Sequence, residues 1–278
     1  MDLAKNISPD SSEWLLSLGQ ALSDILDITA PLLRKMFERS AQFELKNDSS
    51  PVTKTDLEIE GIIKTEIKKL FEQAIILGEE TKSEFNSTKD KLLFCIDPID
   101  GTKSFITGLP IFCSLIGVYC NDKPLLGVID TPCLRERLIG FKKSCYILDN
   151  SSQLSLYEKT KSSAQVLANS TLAATTPEMF EGLKQGQFER LKRQVAICRF
   201  GGDAYNYGLL AQDRLDLVIE ADLQFYDIAA LVPIIEASGG IITDWSGRRL
   251  RIQPDKKIAV LAASNASLHA QALKILKG

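Results

Sequence analysis

Leu92-Leu93-Phe94-Cys95-Ile96-Asp97-Pro98-Ile99-Asp100-Gly101-Thr102-Lys103-Ser104-Phe105 joins an apolar, β-rich run to two acids, a proline and a glycine. The apolar part predicts a buried strand. Pro98 disfavours helix at Asp97 and holds that acid extended at the strand end. Gly101 frees the chain to turn, and Thr102 to Phe105 can begin a short helix. Asp97 and Asp100, on a stiff turn, can share one or two hard cations. The N–H groups of Gly101 and Thr102 can donate to a phosphate oxygen at the helix start. A plain turn with a capping Asp accounts for the same residues, since Asp, Pro and Gly are ordinary turn formers.

Three other places set carboxylates beside apolar runs. Ala74 to Leu77 leads into Gly78-Glu79-Glu80, where the glycine permits close backbone approach; a solvated loop is the other reading. Leu215 to Glu220 is followed by Phe225-Tyr226-Asp227-Ile228, with Asp227 where a helix N-cap belongs. Capping and metal binding are compatible, because a carboxylate has lone pairs for both. Thr53-Lys54-Thr55-Asp56 is a hydroxyl-rich helix start with one acid, and capping from Thr55 or Asp56 explains it.

The chemistry is narrowed by subtraction. The single histidine, His269, lies in a C-terminal helical stretch, so a Ser-His-Asp triad or a histidine zinc cluster is not available. The six cysteines show no C-x-x-C pairing and mostly sit in apolar, strand-like runs, which reads as buried free thiols in a reducing compartment. Carboxylates converging in one pocket are costly unless cations neutralise them. Magnesium takes oxygen ligands and keeps waters, one of which can be made nucleophilic. Metal-assisted hydrolysis of a phosphate ester therefore fits the inventory.

Outward from that centre the chain falls into two parts. Ser12 to about Phe43 reads as one long helix, in which Pro31 predicts a kink or break near Ala30. A second helix follows through Ile59, Ile63 and Ile67. Short strands at Ala74–Leu77, Leu92–Ile96, Ile111–Tyr119, Pro124–Ile129, Arg137–Phe141 and Ser144–Leu148 suggest an antiparallel sheet packed by the two helices. Polar residues Asp149 to Gln153 mark a boundary between residues 1–150 and 151–278. Beyond it, Val166–Ala174, Val195–Cys198, Leu215–Glu220, Ile241–Thr243 and Ile258–Ala262 read as strands. They alternate with helical Glu178–Leu191, Ala204–Ala211, Asp227–Ser238 and Ser267–Lys277, an α/β pattern.

The 278 residues, 45% hydrophobic and 25% charged, are globular in composition. A formal charge of −3 gives no basic footprint for nucleic acid. No run approaches the roughly 20 apolar residues that span a bilayer, and Met1 to Gly19 lacks the basic start and apolar stretch of a signal peptide. The expected setting is cytoplasmic, with no nucleic-acid or membrane partner.

The run from Asp97 to Phe105 resembles the inositol monophosphatase family. Gly78-Glu79-Glu80 upstream and Tyr226-Asp227-Ile228-Ala229-Ala230 then Glu236 to Gly240 downstream match in order. Within it the chain is most similar to histidinol-phosphate phosphatases, through Gly108-Leu109-Pro110, Gly127-Val128-Ile129-Asp130, Glu136-Arg137 and Arg199-Phe200-Gly201-Gly202-Asp203-Ala204-Tyr205. Tyr226 stands where inositol-specific members usually have Trp. The resemblance implies a layered αβαβα sandwich, usually a homodimer, and two or three Mg2+ ions held by Glu79, Asp97, the Ile99 carbonyl, Asp100 and Asp227. It implies that Thr102, supported by Glu79 or Asp56, orients the attacking water, and that the Gly101 and Thr102 amides grip the phosphate. Glu220 matches the position touching the substrate's non-phosphate end, and Asp203 lies in the substrate loop. The activity implied is hydrolysis of a small phosphate monoester, L-histidinol phosphate, in histidine biosynthesis. An inositol or sugar phosphatase on the same scaffold is the nearest alternative, and a non-catalytic metal- or phosphometabolite-binding protein is the one from another class.

Overall fold

The computed structural model describes residues 11–38, 43–45, 51–81, 91–148, 154–157, 164–253 and 256–278. Helix α1 (Ser12–Phe37) starts at Ser11, whose hydroxyl accepts the Trp14 N–H. Leu15, Leu18, Leu22, Ile25, Leu26 and Leu33 give it an apolar buried face, interrupted only by the small polar Ser23 and Thr29. Pro31 does not break it. The proline ring lies on the exposed side, where water can take the carbonyl that lost its partner. A small antiparallel hairpin, β1 (Phe43–Leu45) and β2 (Pro51–Thr53), leads to α2 (Lys54–Leu70). Its N-cap is Thr53, not Thr55 or Asp56. Asp56 sits one turn in, and its Oδ2 accepts both the Thr53 N–H (2.8 Å) and the Thr53 hydroxyl (2.6 Å).

Strands β3 (Ile75–Gly78), β4 (Leu92–Asp100), β5 (Cys113–Cys120), β6 (Lys123–Thr131), β7 (Glu136–Phe141), β8 (Ser144–Leu148) and β9 (Leu154–Leu156) form one seven-stranded sheet in chain order. Helix α3 (Thr102–Thr107) leaves the end of β4. The expected antiparallel pattern holds from β4 onward, but β3 runs parallel to β4. Parallel pairing brings the carboxyl ends of both strands to the same end of the sheet. Asn121 and Asp122, both at positive φ, make the tight β5–β6 turn. The boundary expected at 149–153 lies outside the described residues; β9, beyond it, still pairs with β8.

The second sheet comprises β10 (Thr171–Ala174), β11 (Ile197–Phe200), β12 (Leu217–Leu223), β13 (Ile241–Asp244) and β14 (Ile258–Ala263), ordered β11-β10-β12-β14-β13. Between these strands lie α4 (Leu183–Lys192), α5 (Asp203–Ala211), α6 (Phe225–Ala229) and α7 (Leu231–Ala237), and α8 (Ala266–Lys277) closes the described chain. β10 begins later than the apolar run suggests, because Leu167–Asn169 forms a single 3-10 turn. Likewise α4 starts only after Gly182. The layers follow from the contacts. Helices α1 and α2 cover one face of the first sheet, α5, α6 and α7 fill the space between the sheets, and α4 with α8 cover the far face of the second. This is the αβαβα sandwich that the resemblance implies.

One device sets the spacing of the middle layer. Gly117, Gly127 and Gly140 pair directly across β5, β6 and β7 and make a bare track on the sheet. Helix backbone lies on that track: a Cβ at Gly127 would meet the Ala230 carbonyl at 2.0 Å, and one at Gly117 the Ala229 carbonyl carbon at 2.5 Å. Tyr119 hydroxyl donates to the Ala229 carbonyl (3.1 Å) and fixes the register. The close approach carries the start of α6 down to the end of β4. Gly127→Ala is therefore expected to cost about 1–3 kcal/mol of stability through overpacking against main chain that cannot rotate away. Urea unfolding of the variant checks this.

Candidate active site

At the end of β4 the ladder slips. Asp97 pairs with Leu115 and Asp100 with Cys113, so Pro98 and Ile99 bulge opposite one residue. Ser114 Oγ donates to the freed Pro98 carbonyl (2.7 Å). The bulge turns Asp97 inward, where it is 2% exposed and its Oδ1 accepts the Ile99 N–H at 3.1 Å. Gly101 then takes the left-handed conformation (φ 81°) and caps α3. Thr102 hydroxyl donates to the Ile99 carbonyl (3.0 Å), so two of the expected site groups are already joined.

Four further elements converge on this turn. The Glu79 N–H extends the β3–β4 ladder to the Ile96 carbonyl (3.1 Å), which sets Glu79 beside Asp97. Asp227 arrives on α6; it sits one turn inside the helix, not at the N-cap, and its Oδ2 accepts the Gln224 N–H (2.7 Å). At the start of α5, Asp203 has positive φ (45°) and accepts from Ser104 Oγ (3.3 Å), while the next amide, Ala204 N–H, donates to Asp100 Oδ2 (2.6 Å). Gly101 has to be glycine for a second reason: a Cβ there would come within 2.9 Å of Asp203 Oδ2. On β12, Glu220 is 3% exposed and accepts from the Thr175 hydroxyl and the Tyr207 hydroxyl (2.9 Å).

Glu79, Asp97, Ile99, Asp100, Asp227 and Thr102 thus line one cavity, together with Gly101, Asp203 and Glu220. Asp56 is brought near but not into it. It is wholly buried behind the wall, and its Oδ1 has no hydrogen-bond partner. Burial raises its pKa despite the Thr53 hydrogen bonds, and the Glu79 charge adds to the rise. Glu80 does not line the cavity, and its amide donates to Glu60 Oε2 (2.8 Å).

The electrostatics are those of crowded, dehydrated acids. Burial, then Glu79, Asp100 and Asp227, push Asp97 well above the usual carboxylate range. Burial and then Asp203 do the same to Asp100, against the Ala204 amide. Asp227 is pushed up to about 8, first by burial and then by Glu79, with the Gln224 amide and Lys257 opposing. Glu220 is pushed up to about 7 by burial, although Thr175 and Tyr207 donate to it. Four carboxylates and one carbonyl, all oxygen donors that repel one another, fit a hard divalent cation and nothing soft. Among the described residues no three Asp, Glu, His or Cys side chains are yet drawn together around a single point.

Ser104, Thr175 and Tyr207, which donate to site carboxylates, escape the sequence reading, as does Glu60, which lies outside the cavity. Thr175 directly follows β10, at the carboxyl end of a parallel strand where α/β sites gather. Glu60 lies four residues after Asp56 on the buried face of α2, so two acids among Ile59, Ile63 and Ile67 carried a signal.

Residues 17–277 match the model of the inositol monophosphatase family. This chain is a phosphatase of the inositol monophosphatase family. It is 35% identical to the bifunctional phosphatase IMPL2, chloroplastic, of Arabidopsis thaliana, an alignment covering 98% of this chain and 77% of that protein. It is 30% identical to a histidinol-phosphatase of Chlorobaculum parvum, covering 82% and 84% of the two. An inositol monophosphatase from Zymomonas mobilis shares the fold with a TM-score of 0.80 at 32% identity, covering 94% and 98% of the two chains. The six cysteines of this family member are free thiols, as expected. No helix among the described residues is long and apolar enough to cross a membrane.

Proposed function

We propose that this phosphatase hydrolyses L-histidinol phosphate to L-histidinol and inorganic phosphate with Mg2+. The observation that carries the substrate is the pair Asp203 and Glu220, two acids lining the cavity besides the expected metal ligands. A neutral polyol has no need of them, whereas a cationic amino alcohol can take a charge-assisted contact from each. Glu79, Asp97, the Ile99 carbonyl, Asp100 and Asp227 would hold the metal, which when bound supplies Lewis-acid charge and makes water nucleophilic. The Gly101 and Thr102 amides bind the phosphate. Thr102 Oγ1, tied to the Ile99 carbonyl, is the hydroxyl nearest the expected path of the water and orients it. Thr175 and Tyr207 hold the Glu220 carboxylate still and leave it lone pairs for the amine. Support for a homodimer in a reducing, cytoplasmic setting comes from the family and the free thiols, and sedimentation tests the former.

Phosphate release from histidinol phosphate and from inositol 1-phosphate, with Mg2+ and with EDTA, tests the reading. Glu220→Gln and Asp203→Asn are each expected to lower kcat/KM on histidinol phosphate by about 10- to 100-fold, from the loss of one charge-assisted contact. Their effect on inositol 1-phosphate is expected to stay within about threefold, because no charged contact is lost there. A preference for inositol phosphate overturns the substrate; it would favour the second reading, an inositol-phosphate phosphatase, which the 32% identity to the Zymomonas enzyme supports.

A further inference from the structure

We infer that Glu60, a residue outside the cavity, is a positioning residue that holds Glu79 in place for metal binding. The inference rests on the metal role of Glu79 proposed above.

Glu60 is fully buried on α2, and its carboxylate lies flat against the backbone where β3 ends. Its Oε2 accepts the Glu80 N–H (2.8 Å), and its Oε1 accepts the Thr81 hydroxyl (2.5 Å) and pairs with Lys64 Nζ (2.8 Å). Lys64 also donates to the Thr81 hydroxyl. Gly78 completes the seat. A Cβ there would lie 2.5–2.6 Å from the carboxyl carbon and both oxygens of Glu60, so the close approach that this glycine permits is made by Glu60.

Glu79 is thus gripped on both sides of its own backbone. Its amide is tied to β4 through the Ile96 carbonyl, and the next two residues are tied to α2 through Glu60. With the main chain fixed, the Glu79 side chain starts from one set place at the cavity edge. A carboxylate that has to meet a cation from a preset position gains affinity, and groups that orient ligands typically carry 10- to 100-fold in metal affinity. Asp56 and Glu60 are one helical turn apart, so α2 presents one acid behind the cavity and another under its rim.

The test is calorimetric titration of Mn2+ into metal-free protein, without substrate, alongside the Mg2+ concentration for half-maximal phosphate release. Glu60→Gln keeps the shape but replaces the ion pair and alters the donor pattern. Gly78→Ala displaces the Glu60 carboxylate while every acid keeps its identity. Both are expected to weaken metal binding about 10-fold and to raise the half-maximal Mg2+ in step, with kcat at saturating Mg2+ within about threefold of wild type. A merely structural role would lower the unfolding midpoint and leave metal affinity unchanged. Folded Glu60→Gln and Gly78→Ala proteins with wild-type Mn2+ affinity overturn the inference; if Glu60→Gln does not fold, Gly78→Ala decides alone. Asp97→Asn is titrated in parallel. Should it bind Mn2+ as wild type does, the metal-site reading falls and takes this inference with it; should it alone lose affinity, only the role of Glu60 is overturned.

Discussion

Asp97→Asn is expected to lower kcat by about a thousandfold while raising the thermal midpoint of the metal-free protein at pH 8. The two effects have one cause. Asp97 is buried at the ladder slip with Glu79, Asp100 and Asp227 around it, and its pKa is raised well above normal by burial first and then by that company. Ionised, it destabilises the metal-free fold; in the proposed metal site a divalent cation would offset that charge. Asparagine preserves the volume and can still accept the Ile99 N–H, so the bulge that aims residue 97 survives. The substitution removes a charge that the metal needs and that the apo protein tolerates poorly. Mg2+ should then raise the midpoint of wild type and leave that of Asp97→Asn almost unmoved. Phosphate release and thermal scans with and without EDTA read both halves. Full activity in the variant would overturn the metal assignment, and a lower midpoint without metal would overturn the account of the repulsion.

Much of this site was legible because its signals are local. Pro98 and Gly101 sit next to the acids they orient, and an apolar run that ends in Asp-Pro-x-Asp-Gly has few ways to fold. The strands of the first sheet follow from short β-rich runs and tight turns such as Asn121-Asp122. The parallel pairing of β3 with β4 was not legible, because the residues between them carry no periodic pattern that declares a crossover. Caps were misplaced by one turn at Asp56 and Asp227 for a physical reason. In both, the acid reaches back to an upstream amide, so an acid at the third helical position resembles one at the cap.

What stayed hidden is long-range. Tyr207 and Thr175 meet at Glu220 only because β10, α5 and β12 pack together. The glycines of β5, β6 and β7 are ordinary residues in sequence, and their use as a track for α6 and α7 exists only in the packed layers. That track links fold to chemistry, since Asp227 reaches Asp97 only if helix backbone lies against bare sheet. In the function proposed above, the metal side comes from the first sheet and α6, and the substrate side from α5 and β12. The substrate end can therefore change while the acids at the β4 end stay as they are.

The metal-free protein is expected to be more stable at pH 6 than at pH 8, the reverse of a domain whose carboxylates are salt-bridged. Asp97, Asp100, Asp227 and Glu220 all have folded-state pKa values raised above their unfolded ones, Glu220 to about 7 and Asp227 to about 8. Over the interval between the unfolded values, near 4, and those raised values, the folded state holds more protons than the unfolded one. Stability therefore falls as pH rises through the range that holds the raised values of Glu220 and Asp227, and Asp97 and Asp100, raised in the same direction, add to the fall. Asp227 is half-buried and titrates together with its neighbours, so the cluster as a whole, not one residue, sets a loss of a few kcal/mol between pH 6 and 8. For a chain of this size each kcal/mol moves the midpoint by about 2–4 °C. Saturating Mg2+ binds the ionised form and competes with those protons, so it should stabilise far more at pH 8 than at pH 6 and invert the pH profile. Thermal midpoints in EDTA and in Mg2+ across that range check the sign. An apo midpoint that climbs from pH 6 to pH 8 would mean that the acids are held apart, and the cavity would then lack the repulsion that a cation is needed to relieve.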